Sequence, residues 1–495
     1  VTGPATRPPG ERGAVAPAGR QRLHPLTFVV GATRELMALL AAGATGLLVG
    51  GVSTAFYFTL IGMAFGLAFH VTVWATFTYT VRDDRIELRR SLIRRTVKSI
   101  PRDRIRGVDV TTSFGHRLLG LAVVRVDAGA DGGEGELNAV SRREAARLRR
   151  VLLARTAVDA PPRVRVLARM RRRWYLYAPL SGAYLLTPFA LAGSLLGFLY
   201  DVGDDLGLVT RDRIARLGHD VAGLPGAAVV AAAAVLLVAM PVMSVIVFTL
   251  FNGDFTVRER DGSLVAERGF VTRRSVALEL RRVRGVELVD NPFERAARVV
   301  RLGALVTGLG DAAHRGRLLP AAPRGYAAEV AERVLGPVPG PLTAHPRAAR
   351  GRRVVRAAAP PLGVGVVAAS VGQGGVAVLC AVLTVLAVPL GLDRYRQLGH
   401  AADATRFTLR SGSLLRRQVV VDRTAVVGWR VRQSLFQRRA GLATLDAAVG
   451  AGDGGYAGLD MAARDAVAFA AALTPDWVLP FLEPPDATPG GAPRT

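Results

Sequence analysis

The chain has 495 residues, half of them apolar, with 65 lysines and arginines against 39 acids for a formal charge of +26. That length allows about three domains of roughly 150 residues. High hydrophobicity and high charge in one chain require the two to be segregated, which excludes a disordered chain and argues against a single water-soluble globule. Strong basicity also fits nucleic-acid binding, but long apolar blocks make a membrane the better partner, and no nucleic acid is expected. Lys98 is the only lysine. Cys380, the only cysteine, lies in an apolar block, so no intrachain disulfide can form.

In chain order, residues 1–34 are rich in Pro, Gly and Arg and read as a disordered basic tail. They lack the short apolar core and cleavage site of a secretory signal. From Leu36 to Val81 there is no Asp, Glu, Lys or Arg. At about 20 residues per span, this predicts transmembrane helices 1 and 2 within 35–78, turning near Gly50-Gly51. A polar segment, 79–156, follows. The uncharged blocks Trp174 to Tyr200 and Val221 to Gly253 predict helices 3 and 4 within 174–253, linked by 201–220. After a second polar segment, 254–337, and a basic linker, 338–356, the block Ala357 to Leu392 has Gln373-Gly374 at its middle and predicts helices 5 and 6 within 357–392. A third polar segment, 403–476, and a Pro-rich tail, 477–495, complete the chain.

Arginines set the expected orientation. Arg20, Arg22 and Arg34 precede the first hairpin, Arg169 and Arg171 to Arg173 the second, and Arg347, Arg350, Arg352, Arg353 and Arg356 the third. The 201–220 link instead carries Asp201, Asp204, Asp205, Asp212 and Asp220 against Arg211, Arg213 and Arg216, which suits an outer loop. Both termini and all three polar segments are therefore expected on the cytoplasmic side of the cell membrane.

The polar segments repeat. Each opens with an aromatic-Thr-aliphatic-Arg run: Tyr79 to Arg82, Phe255 to Arg258, Phe407 to Arg410. Next come Arg94-Arg95-Thr96-Val97, Arg273-Arg274-Ser275-Val276 and Arg416-Arg417-Gln418-Val419. Arg106-Gly107-Val108 is matched by Arg284-Gly285-Val286 and more loosely by Val427-Gly428-Trp429. Phe114 to Leu121 corresponds to Phe436 to Leu442, with Phe293 to Arg298 a less faithful middle copy. Gly/Asp-rich hairpin signals follow near Gly129 to Gly133, Gly308 to Asp311 and Gly450 to Gly455. The units close on amphipathic helices predicted at Ser141 to Ala154, Arg324 to Leu335 and Asp460 to Leu473, with Ser141 and Glu144 as a capping box and Asp460 as an N-cap.

The order of membrane hairpin, Arg-Gly-Val, the run Gln433 to Leu445 and C-terminal helix resembles the bacterial pleckstrin-homology-type multipass membrane protein family. Arg22 to Leu26, ahead of the first span, is similar to that family's N-terminal signature. The resemblance covers nearly the whole chain and implies an α+β membrane protein. Three hairpins, six transmembrane helices in all, would each be followed by a PH-like domain, a strongly bent seven-stranded antiparallel sheet plugged by a C-terminal helix. It further implies that the first hairpin of each unit forms a phosphate-contacting rim, so that Arg89, Arg90, Arg94, Arg95, Lys98, Arg273, Arg274, Arg416 and Arg417 are candidate contacts to anionic lipid head groups. Guanidinium groups bind phosphate bidentately, although arginines beside spans also serve topology.

Catalysis is not expected. No zinc-protease, phosphate-loop or nucleophile-elbow pattern occurs, and the seven histidines are scattered. Asp127, Asp131, Glu134 and Glu136 lack the ligand spacing of a calcium loop, so no metal or other cofactor is expected. Transport would need polar groups at midplane, where only His70 and Gln373 qualify, both near span ends. Gly46-x-x-x-Gly50 and Gly62-x-x-x-Gly66 instead suit close helix packing. The expected role is a non-catalytic membrane scaffold binding anionic phospholipid, a membrane or cytoplasmic protein, or a second copy of itself. The alternative is a lipid- or peptide-handling export accessory in envelope stress or antimicrobial resistance.

Overall fold

A computed structural model describes residues 20–26, 54–91, 95–105, 107–127, 134–153, 164–205, 223, 225–260, 262–307 and 316–482. The chain divides into two compact units, one of Val1–Pro161, Gly193–Pro225 and Val271–Ala277, the other of Pro162–Ala192, Gly226–Phe270 and Leu278–Thr495.

In the first unit, β1 (Gln21–Arg22) precedes helix α1 (Thr54–Thr76) and pairs with β2 (Thr78–Val81) after it. β3 (Arg85–Ser91) and β4 (Arg95–Pro101) extend this to an antiparallel sheet in the order β1-β2-β3-β4. β5 (Gly107–Thr112), the short helix α2 (Phe114–Leu118), β6 (Leu121–Asp127) and β7 (Glu134–Ser141) form a second antiparallel sheet, and α3 (Arg142–Leu153) closes the repeat. The seven expected strands are all present, divided between two sheets. Ala145, Leu148 and Leu152, spaced along one face of α3, bury against Ile86, Ile100, Val124 and Leu137. As the capping box predicts, Ser141 Oγ accepts from the Glu144 backbone N–H at 3.2 Å. The Glu144 carboxylate turns instead to Arg147, at 2.9 Å, and to the Tyr79 hydroxyl, at 3.3 Å.

In the second unit, β8 (Val164–Arg169) leads into a 3₁₀ segment, Arg172–Leu180, ahead of α4 (Gly182–Asp205), whose residues from Gly193 onward belong to the first unit, and α5 (Gly226–Asn252). Trp174, read from the sequence as the start of a span, is buried and packs against Tyr326 with ring centroids 4.8 Å apart and the rings tilted by 56°. The span thus begins later than the uncharged block, because an apolar residue beside a β module finds a protein core before it finds lipid. β9 (Thr256–Arg260) pairs with β8 and with β10 (Ser263–Arg268). β11 (Arg273–Glu279), through its residues in the first unit, is the neighbour of β5 there.

The middle repeat continues in the second unit with β12 (Val283–Asp290), helix α6 (Pro292–Ala296), β13 (Val299–Val306), β14 (Arg317–Pro323) and α7 (Arg324–Leu335). The third hairpin, α8 (Arg347–Ser370) and α9 (Gly374–Arg396), packs closely where it has no side chain to hold it apart: a Cβ on Gly391 would lie 2.6 Å from Val354 Cα. β15 (Gly399–Ala402), β16 (Arg406–Ser411) and β17 (Arg416–Asp422) complete a sheet in the order β14-β13-β12-β17-β16-β15. β18 (Val426–Arg432), α10 (Leu435–Arg439), β19 (Leu442–Val449), β20 (Gly455–Ala462) and α11 (Ala463–Leu473) end the third repeat. Phe407-Thr408-Leu409-Arg410 lies on β16, the second strand after its hairpin, whereas Tyr79 lies on the first. The third of the aromatic-Thr matches is therefore displaced by one strand.

Among the described residues four helical segments are long and apolar enough to cross a membrane: Phe56–Thr76, Tyr184–Asp201, Gly226–Asn252 and Gly374–Arg396. They expose Leu, Val, Phe and Ile around their circumference, as helices do when lipid rather than protein covers them. The sequence predicts six. Helix 1 falls on 35–53, outside the described residues, and α8 begins as an arginine-rich turn whose uncharged part, 357–370, is short of a full span.

Candidate functional site: arginines at the strand junctions

The three repeats use their arginines differently. In the first, the hairpin register sets Ser91 opposite Arg95, Arg90 opposite Thr96, Arg89 opposite Val97 and Leu88 opposite Lys98. Side chains alternate across a strand, so Arg89 and Arg95 share one face while Arg90 and Lys98 share the other. Arg89 donates to Glu87 at 3.0 Å, and this bond holds the Glu87 carboxyl below its ordinary range. Arg90 and Arg95 are exposed. Arg94 lies outside the described residues.

In the second repeat Arg273 is exposed, while Arg274 stands 3.9 Å from the carboxylate of Asp109 on β5. Beside them Arg149 of α3 donates to Ser275 Oγ at 2.8 Å. In the third repeat Arg417 lies 3.4 Å from Glu287 on β12 and 2.7 Å from Asp453. Burial pushes the Glu287 carboxyl up, with Arg417 opposing it. Arg416 is buried. Its Nε donates to both oxygens of Asp290, at 3.0 and 3.1 Å, its Nη2 also binds that carboxylate, and its Nη1 reaches Gln397 Oε1 at 2.9 Å. The reading of Arg416 as a head-group contact is corrected by this burial, because a guanidinium neutralising a 2 % exposed carboxylate cannot also face phosphate.

Arg274 and Arg417 thus belong to junctions between consecutive repeats, which the sequence reading of the arginine pairs missed. β12 of the middle repeat pairs with β17 of the third, Gly285 opposite Val421 through Asp290 opposite Arg416. The glycine of the Arg-Gly-Val motif makes this approach possible. A Cβ on Gly285 would run into the carbonyl oxygen of Val420. The neighbouring Arg284 donates to Thr424 Oγ1 at 3.3 Å. The available signal was the acid after the motif, Asp109 or Glu287, in the first two repeats only.

The run Gln433 to Leu445 is structural. Ser434 and Gln437 form a reciprocal cap at the start of α10, and Gln437 donates to Thr444 Oγ1 at 2.9 Å and Asp460 Oδ1 at 2.7 Å. Asp460 is buried with φ +57° and pairs with Arg352 at 3.1 Å and Arg353 at 2.6 Å, at the root of α8. It is therefore not the N-cap of α11, which starts at Ala463. The middle copy, less faithful in sequence, builds the same cap from Asn291 and Glu294, and Glu294 lies 3.2 Å from Arg301. Among the described residues no cluster of His, Cys, Asp and Glu could hold a metal ion. Arg125 and Glu136 pair across β6 and β7 at 3.2 Å, and Asp131 lies outside the described residues.

A family model described as the bacterial PH domain matches three times, at residues 27–156, 212–337 and 359–473, which together make up more than half of the chain. Comparison with curated proteins gives no match, and comparison with solved structures gives none.

Proposed function

Because this chain belongs to the bacterial PH domain family and carries that domain three times, we propose that it is a non-catalytic membrane scaffold whose first repeat holds anionic lipid head groups. In this reading the apolar helices anchor it, and the arginines flanking them support a cytoplasmic position for the repeats. The observation that carries the lipid reading is the division of labour among the arginines. Arg274, Arg416 and Arg417 are engaged by Asp109, Asp290 and Glu287, whereas Arg90 and Arg95 stand exposed beside Arg89 at the end of the β3–β4 hairpin. Lys98 adds charge to the same hairpin, and Arg273 is exposed in the second repeat. PH-type domains are binding modules, which agrees with the lack of a catalytic constellation in the sequence. Protein partners remain compatible with the same surfaces.

Native mass spectrometry of the full chain, released from micelles containing phosphatidylglycerol or phosphatidylcholine, tests this. With about 1 kcal/mol for each cation near an anionic surface, the R89A/R90A/R95A variant is expected to lose about 100-fold in phosphatidylglycerol retention. Equal retention by variant and wild type would overturn the lipid role of this hairpin.

A further inference from the structure

The junction between repeats recurs, and its two outer ends are open. β5 neighbours β11, and β12 pairs with β17. In each case the counterpart of β5 in one repeat meets the counterpart of β4 in the next. Among the described residues nothing pairs with the outer edge of β4 in the first repeat, or of β18, the counterpart of β5 in the last. These are complementary halves of the same joint, and unpaired edges are templates for further pairing.

Their side chains resemble the internal joints in shape. Val97 is 49 % exposed and Val431 47 % exposed, whereas Val419 and Leu288 at the corresponding internal positions are buried. Gly428 corresponds to Gly285. A Cβ on Gly428 would meet nothing within 4 Å, so among the described residues no strand fills the clearance that admits a neighbour at Gly285.

Charge is what differs. Two residues beyond the motif glycine stands Asp109 in the first repeat, Glu287 in the second and Arg430 in the third. The facing cation is Arg274 for Asp109 and Arg417 for Glu287. Its counterpart on the open edge of β4 is Arg95. In the register of β12 and β17, Val289 faces Arg417, so the same joint between two copies would set Arg432 opposite Arg95 and Arg430 diagonal to it. Like charges placed so oppose pairing. On β18 the two arginines share the single carboxylate of Asp446, Arg430 at 3.2 Å and Arg432 at 2.9 Å.

We propose that the outer edge of β18 is a docking edge for an extended strand that carries a carboxylate at this register position, and that Arg95 prevents a second copy of the chain from occupying it.

The full chain in detergent provides the test, with mass read by light scattering and register read by a disulfide between T96C and V431C, which the joint sets opposite each other, in a C380A background. Wild type should keep a single mass and form no crosslink between copies. R95E supplies the missing carboxylate and should assemble head to tail into multiples of that mass, with the crosslink. Adding R430E/R432E to R95E should abolish both. An R95E chain with the wild-type mass and no crosslink overturns the proposal, as does a wild-type chain that already crosslinks. If R95E assembles and the triple variant still assembles, charge at this position does not decide the joint and the proposal also fails. None of these readouts depends on lipid binding, so the two ideas stand or fall separately.

Discussion

Glu287 of the middle repeat and Arg417 of the third stand 3.4 Å apart across a pair of strands that the sequence places 130 residues from each other. The pair marks the seam along which one repeat's second sheet continues into the next repeat's first. The middle PH-like unit is therefore not closed on itself, and at this seam the edge of β12 is covered by its neighbour β17 rather than by water.

The seam depends on a missing side chain. Gly285→Ala places a methyl against the Val420 carbonyl, and overpacking of this kind costs about 1–3 kcal/mol. Gly428→Ala, at the open edge, should fall within about 0.5 kcal/mol of wild type, as surface substitutions do. Thermal unfolding in detergent should separate the two variants. Equal midpoints would mean that β12 does not need its close approach to β17.

Asp290 neutralises Arg416 inside the second unit, with Arg324 at 3.5 Å adding a second cation. Asp290→Ala strands a buried guanidinium and should destabilise by about 3–5 kcal/mol, whereas the double change D290L/R416M, apolar on both sides, should return most of that loss. Limited proteolysis of the purified variants reads the difference. A double variant as labile as D290A would show that the pair contributes more than mutual neutralisation.

His345 and His400 form a buried pair. His345 Nδ1 lies 2.9 Å from the Leu459 carbonyl, which accepts its proton, and His345 Nε2 lies 3.1 Å from His400 Nδ1. Burial, with the neighbouring imidazole second, depresses His345 to about 4, and burial lowers His400 as well. Unfolded histidine titrates near 6.5, so the unfolded chain takes up these protons first. The stabilisation is complete above about pH 6.5 and is lost as the pH falls toward 4. The unfolding midpoint should therefore drop across that window, and the H345L/H400F variant should show a shallower drop. Parallel profiles for the two proteins would exclude the pair as the acid-sensitive element.

How much of this was legible follows from range. The periodicity of α3, the Ser141 cap and the bounds of α7 were readable because they depend on residues three or four apart. Asp460 was misread as a cap because its partners, Arg352 and Arg353, are remote in sequence and its left-handed backbone leaves no local mark. Trp174 was counted with the lipid because hydropathy does not distinguish a protein core from a bilayer.

Composition and repetition determined by themselves that this chain alternates apolar helices with three related β modules, since segregated charge and a recurring order of motifs are properties of the linear chain. Which arginine faces outward and which is consumed was decided only by the tertiary structure. Arg95 and Arg417 occupy the same place in the repeat, and they differ because a strand with a carboxylate pairs with the outer edge of β17 and no described strand pairs with the outer edge of β4.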